Sequence, residues 1–395
     1  MKLVYCIAAT YNSGGMERVL SCKANYWIRK GHEVIIITTD QMGRPSFFDF
    51  HPAIKCYDLG INYEANNGGS FISKLCSFPQ KQRLHHQRLS ALLQELQADV
   101  VFSMFNNDVN FIADIKDGSK KVLEIHFSKN KKLLYGRKGL WALADRWRTH
   151  REEALVKKFD RFVVLTHEDA TCWGDTGNLS IIPNPRTFKP KRPSPLTGKQ
   201  ILAIGRYDYQ KGFDRLLQIW SEVNEEVAKD WQLCIVGHGP DKEILQAQID
   251  QLGLQHRTQL MTPTNDVEAL YHSSSIFVMT SRYEGLPMVL LEAQACGLPV
   301  VSYDFQCGPK DLIIEGGNGF IVPQGDTTHF AQRLMQLMQD TTLREQQGRI
   351  ALQQSEQFTE ENIMLQWEEL LNHLTSTPLC KPSSSPQSIS EKEAH

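Results

Sequence analysis

The chain has 395 residues, enough for two domains that each bury their own core, and its 41% hydrophobic and 22% charged residues are those of a globular protein. A net charge of −2 excludes a general electrostatic attraction to nucleic acid. Nine cysteines, an odd number without C-x-x-C spacing, argue against a disulfide framework or a zinc site and for a reducing cytosol.

The opening MKLVYCIAAT has too short an apolar run for a signal peptide and reads as a first buried strand. Strand runs follow at Glu33–Thr39, Ile54–Leu59, Asp99–Met104, Val122–His126 and Arg161–Thr166, after the first at Leu3–Ala9. Helical patterns at Met16–Arg29 and Leu84–Gln97 separate some of them. Five prolines between Pro183 and Pro195 favour extended chain and mark a join. A second set of strands then runs through Ile201–Gly205, Gln232–Val236, Thr258–Met261, Ile276–Met279, Val300–Tyr303 and Gly319–Val322. The helical patterns between these are Phe213–Glu226, Asp241–Leu252, Asp266–His272 and Pro287–Cys296. Strand–helix alternation with β-branched strands implies parallel sheets covered on both faces, here twice over. Helices at Thr327–Asp340, Thr342–Glu356 and Thr359–His373 close the pattern, the last with a Thr cap and early Glu residues. Residues 376–395 are rich in Ser, Pro and Glu and are expected to be disordered. No window approaches the ~20 apolar residues that a membrane span needs.

In open parallel sheets, ligands bind at the carboxyl ends of the strands. The loops at those ends carry the candidate residues. Asn12 to Arg18, NSGGMER, follows the first strand and opens a helix. Gly14 and Gly15 there either make a tight turn or let backbone approach an anion at the helix N-terminus. Gly205 to Gly212, GRYDYQKG, places Arg206 and Lys211 five residues apart on one loop. They are either a solvated basic loop or a pair gripping one diphosphate from two sides. Gly237, in VGHGP, and Thr262 follow the next two strands. His126 ends another, where a lone histidine is often only structural. The stretch Ser281–Pro299, SRYEGLPMVLLEAQACGLP, sets Glu284 and Glu292 eight residues apart around a strand–turn–helix, with Gly285 and Leu286 in the turn and Pro287 and Met288 opening the helix.

That stretch closely resembles the E-x7-E motif of retaining, metal-independent glycosyltransferases of family 4 (glycosyl transferases group 1), as found in bacterial surface-polysaccharide enzymes. GRYDYQKG is similar to the G-R-x4-K-G element of the same family. Asp304–Asp311, DFQCGPKD, is similar to a D-x-x-x-G-P-[KR]-[DE] variant. The resemblance covers about residues 1–375 and implies the GT-B fold, two doubly wound Rossmann-like α/β domains facing across a cleft. Residues 1–185 would form the acceptor domain and 186–356 the nucleotide-sugar domain, with 357–375 crossing back to the first.

The resemblance further implies that Arg206 and Lys211 bind the donor diphosphate, Glu284 the transferred sugar and Glu292 the ribose. His126 would contact the sugar. Gly14, Gly15, Gly205, Gly237, Thr262, Gly285, Leu286, Pro287 and Met288 would line the donor site. No cofactor or metal is expected, and the sequence has no Asp-x-Asp. The expected reaction moves a hexose or N-acetylhexosamine, most simply from a UDP-sugar, to a glycan acceptor that is lipid-linked. Partners would then be the nucleotide sugar, that acceptor and the inner face of the cytoplasmic membrane. Residues 129–161 carry eleven Lys/Arg against four acids, with Leu140, Ala144 and Trp147 on one helical face. That pattern suits either an anionic membrane or plain solvent. A soluble sugar-phosphate acceptor, a nucleotide-sugar 2-epimerase and a non-catalytic nucleotide-sugar binder remain open alternatives.

Overall fold

The structure, a computed structural model, describes residues 1–66, 71–130, 149–264 and 266–376, without the side chains of 66 and 71–76. The first half contributes β1 (Lys2–Ile7), α1 (Gly15–Arg29), β2 (Glu33–Thr38), β3 (Lys55–Asp58), α2 (Phe71–Leu96), β4 (Val100–Ser103) and β5 (Lys120–Glu124). After helical residues 149–156 come β6 (Arg161–Val164), α3 (His167–Trp173) and β7 (Leu179–Ile181). The second half contributes β8 (Gln200–Ile204), α4 (Phe213–Glu222), α5 (Glu225–Ala228), β9 (Gln232–Val236), α6 (Lys242–Gln251), β10 (Thr258–Met261), α7 (Val267–Ser273), β11 (Ile276–Met279), α8 (Met288–Ala295), β12 (Val300–Tyr303), α9 (Pro309–Leu312) and β13 (Gly319–Val322). Helices α10 (Thr327–Gln339), α11 (Thr341–Ser355) and α12 (Glu360–Ser376) end the described chain.

All strand pairs are parallel, in two sheets ordered β3-β2-β1-β4-β5-β6-β7 and β10-β9-β8-β11-β12-β13. Each order reverses beside its first strand, which is the doubly wound arrangement. The period of two in the strands places alternate residues on opposite faces. Leu3, Tyr5 and Ile7 of β1 join one hydrophobic cluster, whereas Val4 and Cys6 join another. Both faces of the central strands are therefore dry, which accounts for their unbroken apolar runs.

The two predicted sets of strands are present, with ends displaced by a residue or two. Three features differ from the sequence pattern. β7 was not foreseen, being three residues long and without an apolar run. α2 begins at Phe71 and runs through Pro79. The predicted helix Phe213–Glu226 is divided in two, because Val223 turns to extended backbone and the Asn224 side chain caps a new short helix by accepting from the N–H groups of Glu226 and Val227. Tail residues 377–395 lie outside the described residues.

Helix α12 lies on the first half of the chain. Its Ile363, Met364, Trp367 and Leu371 are buried in the same cluster as Leu20, Ala24, Trp27 and Phe102. Around that apolar seam, Arg29 donates to Glu360 at 2.6 Å and Tyr26 to Glu368 at 3.0 Å. Inside it, the buried Lys23 ammonium sits 3.4 Å from the Trp367 ring centroid and donates to both oxygens of Glu124 at 2.7 Å. Burial lowers the Lys23 pKa, with Glu124 opposing the shift. Burial pushes the Glu124 carboxyl up, but Lys23 and His126 outweigh it and hold it below its ordinary value.

Removing one member of such a pair strands a buried charge. Lys23→Ala is expected to cost about 3–5 kcal/mol in urea unfolding, while Lys23→Met combined with Glu124→Leu is expected to recover most of that loss.

Candidate active site

The carboxyl ends of both sheets face one cleft, and the loops that meet there are those singled out by spacing. β11 ends at Met279, the chain turns through Ser281–Leu286, and α8 begins after Pro287, whose backbone is extended and serves as N-cap. At the turn the two halves of the molecule touch backbone to backbone. A Cβ placed on Gly285 would lie 2.3 Å from the carbonyl oxygen of His126 and 2.8 Å from the Cα of Phe127. Only glycine permits that approach.

A cavity of about 290 Å³ opens at this contact. From the first half of the chain it is lined by Gly15, Met16, His126, Phe127 and Ser128. From the second half come Gln210, Lys211 and the run Tyr283–Val289, with Asn184 from the connecting segment. Lys211 donates to Glu284 Oε1 at 2.7 Å, Ser281 donates to the same oxygen at 2.8 Å, and Gln210 Nε2 donates to Oε2 at 3.1 Å. The aliphatic stem of Lys211 crosses directly over Gly205, where a Cβ would meet it at 2.9 Å. Gly205 thus sets how deeply the ammonium reaches. His126 lines the same cavity with its side chain buried. Its Nε2 stands 3.5 Å from Glu124 Oε2, and both ring nitrogens are buried without a hydrogen-bond partner.

Of the sequence-predicted residues, the structure therefore brings together on one cavity Gly15, His126, Lys211, Glu284, Gly285, Leu286, Pro287 and Met288. The others stand elsewhere. Arg206 is two-thirds exposed and pairs with Asp208 at 2.8 Å, so it does not converge with Lys211. Gly14 is the N-cap of α1 and packs on the side chain of Glu17, whose pKa burial raises. Gly237 backs onto the carbonyl of Gly205, and Thr262 is exposed just past β10. Glu292 is buried one turn into α8, where it accepts from Tyr271 at 2.8 Å, from Thr187, and from Arg18 at 3.2 Å.

Sequence reasoning missed Gln210, Ser281, Asn184, Tyr271 and Thr187. Gln210 was open to inference as the neighbour of Lys211 on the same short loop. Tyr271 and Thr187 carry no local signal, since only the fold brings them to Glu292. A larger cavity, about 490 Å³, is lined by Cys22, Arg186, Lys189 and Glu360 among others and holds none of the predicted residues.

The DFQCGPKD loop makes a second bridge between the halves. Cys307 N–H donates to Glu168 at 2.8 Å, and the carboxylate of Asp311 accepts from the backbone N–H of His167 at 2.7 Å. Burial pushes the Cys307 thiol up, which suits a packed small residue. In the basic stretch, Lys129 is buried and donates to Glu153 at 2.6 Å and to the carbonyl of Cys172. It is therefore not available to a membrane surface. Residues 131–148, with Leu140, Ala144 and Trp147, lie outside the described residues. Among the described residues no helix is long and apolar enough to cross a membrane.

Two family models match the chain, Glycosyltransferase Family 4 over residues 13–186 and Glycosyl transferases group 1 over residues 185–354. An uncharacterized glycosyltransferase of Haemophilus influenzae is 30% identical over 94% of this chain and 99% of its own length. The chain belongs to the group 1 glycosyltransferases. It is a glycosyltransferase by that membership. A Campylobacter jejuni relative, named for alpha-1,4-N-acetyl-D-galactosaminyl transfer to GalNAc-alpha-(1->4)-GalNAc-alpha-(1->3)-diNAcBac-PP-undecaprenol, is 25% identical over 94% of this chain and 98% of its own. The crystal structure of Anabaena HepE with UDP and glucose superposes with a TM-score of 0.69 at 16% identity, covering 94% of this chain and all of that one. The fold of this glycosyltransferase is accordingly GT-B.

Because Gly285 meets backbone, Gly285→Val is expected to force the halves apart at the cavity. Transfer activity should fall while far-UV circular dichroism is unchanged, and small-angle scattering should show a larger radius of gyration.

Proposed function

We propose that this glycosyltransferase moves a hexose or N-acetylhexosamine from a UDP-sugar, with retention and without a metal, to a hydroxyl of a lipid-linked glycan in bacterial surface-polysaccharide synthesis. The observation that carries the reading is the Lys211–Glu284 pair at 2.7 Å on a cavity closed from the other side by His126. Glu284, held on both oxygens by Lys211, Ser281 and Gln210, is aimed to accept from sugar hydroxyls. Lys211 offers positive charge within the same few ångströms. Arg206, exposed on the same loop, is free to swing onto a bound diphosphate once it leaves Asp208. The donor class draws support from HepE, which binds UDP and glucose, and the acceptor class from the undecaprenol-linked substrate in the name of the Campylobacter relative.

In the proposed reaction the bond from the anomeric carbon to the β-phosphate oxygen breaks, and its electron pair stays on the diphosphate. The acceptor hydroxyl oxygen forms the new bond from the same face, and its proton passes to the departing phosphate oxygen. Lys211, Arg206 and the N–H groups that open α8 stabilise the charge that develops on the leaving group. A carboxylate double displacement would need two carboxyl groups about 5 Å apart around the anomeric carbon. Glu292 faces Tyr271, Thr187 and Arg18, so it does not supply the second.

Thermal unfolding in EDTA, with UDP, GDP, ADP and their common sugars, tests the donor first. UDP compounds are expected to raise the melting temperature, as ligands of a folded state do. A shift only with GDP or ADP compounds would reassign the donor. Turnover with the selected donor is expected to survive EDTA, and complete loss restored by Mn²⁺ would refute metal independence. Lys211→Ala is expected to reduce turnover by ~10² or more, the effect of removing a few kcal/mol of charge stabilisation. Near-normal turnover in that variant would overturn the diphosphate assignment.

A further inference from the structure

Glu292, assigned above to the ribose of the donor, has no room for it as the protein stands. Its side chain is 4% exposed and lies outside the lining of the cavity. Three donors already occupy it. Oε2 accepts from the hydroxyl of the fully buried Tyr271 at 2.8 Å. Oε1 accepts from the hydroxyl of Thr187 and from the Arg18 guanidinium at 3.2 Å. A carboxylate has about four acceptor sites, so at most one is left for a vicinal diol that brings two hydroxyl donors.

One of the three must leave. Tyr271 is fixed in the core against Phe277 and cannot. Thr187 makes the shorter of the two contacts to Oε1. Arg18 makes the longest contact of the three, its side chain is 33% exposed, and it comes from α1 in the other half of the molecule. Its long side chain can turn to water at little cost.

We propose that Arg18 is a gate on the ribose carboxylate. It holds Glu292 across the cleft until the donor binds; one hydroxyl of the ribose diol then takes its place on Oε1, beside Thr187, and the other takes the remaining site on Oε2, beside Tyr271. Donor binding thereby exchanges an interdomain ion pair for a contact within the nucleotide domain. Arg18 is a positioning residue here, acting only through Glu292. The inference rests on the proposed function and on the ribose role that the family resemblance implies for Glu292.

Isothermal titration of the full-length protein with UDP and with 2′,3′-dideoxy-UDP tests it. Arg18→Gln is expected to tighten UDP about threefold, the size of a part-exposed ion pair, and to leave the dideoxy compound unchanged. Arg18→Lys, which keeps the charge, is expected to fall between wild type and Gln. Circular dichroism of each variant reports on folding. Equal weakening of both nucleotides would overturn the gate and make Arg18 a ligand of the diphosphate or a structural residue. No change in either would overturn it too, as would tightening by Thr187→Val in place of Arg18→Gln. If wild type discriminates UDP from its dideoxy form and Arg18→Gln has no effect, the gate alone fails. If wild type binds both equally, the ribose assignment itself fails.

Discussion

The two halves of this protein meet, at the loops that follow β5 and β11, where no side chain stands between them. Gly285, on the turn before α8, abuts the main chain at His126 and Phe127, and a single added carbon would overlap the carbonyl there. The loop that carries Glu284 can reach the opposite wall only because of that missing carbon, and the cavity is the gap left beside the contact. Close packing makes such a contact rigid, since a fixed carbonyl cannot yield as a side chain can. The depth of the site, and the distance from His126 to Lys211 and Glu284, are thus set by backbone geometry.

Behind His126 the chain of contacts continues to the end of the described sequence. His126 leans on Glu124, Glu124 holds Lys23, and the Lys23 ammonium lies on the face of Trp367 in α12. A buried ion pair is a weak source of net stability, because desolvation offsets its attraction. Its evident consequence here is orientation. Glu124 is fixed on both oxygens by Lys23 and can offer His126 only one direction. The helix that closes the chain therefore bears on the buried side chain of a residue that lines the cavity, through two charges that have no access to water.

Much of this was legible in the sequence, for identifiable reasons. Apolar runs over β1, β2, β9 and β11 gave the strands, because strands dry on both faces need such runs. The Gly, Pro and Glu pattern of Ser281–Pro299 gave the turn and the helix start, because close approach and a missing N–H each admit few residue types. The charges were harder to read. Spacing suggested that Arg206 and Lys211 act together, yet Arg206 points to Asp208 and Lys211 to Glu284, since each finds the nearest carboxylate. Lys129 appeared in the sequence as one of eleven positive charges, but the fold buries it against Glu153. Tyr271 and Thr187 are far from Glu292 along the chain, so no local pattern could join them.

The two glutamates that define the motif are each paired with a cation, but from different sides. Glu284 is held by Lys211, Ser281 and Gln210, all from its own half of the molecule, so that arrangement persists whatever the other half does. Preorganised charge of this kind costs no rearrangement when a substrate arrives. Glu292 instead depends on Arg18, a residue of the opposite half, for one of its hydrogen bonds. That bond spans the cleft. Two carboxylates eight residues apart on one turn and helix thus have different mechanical standing. One is held wholly within its own half, and the other is tied in part to the opposite half.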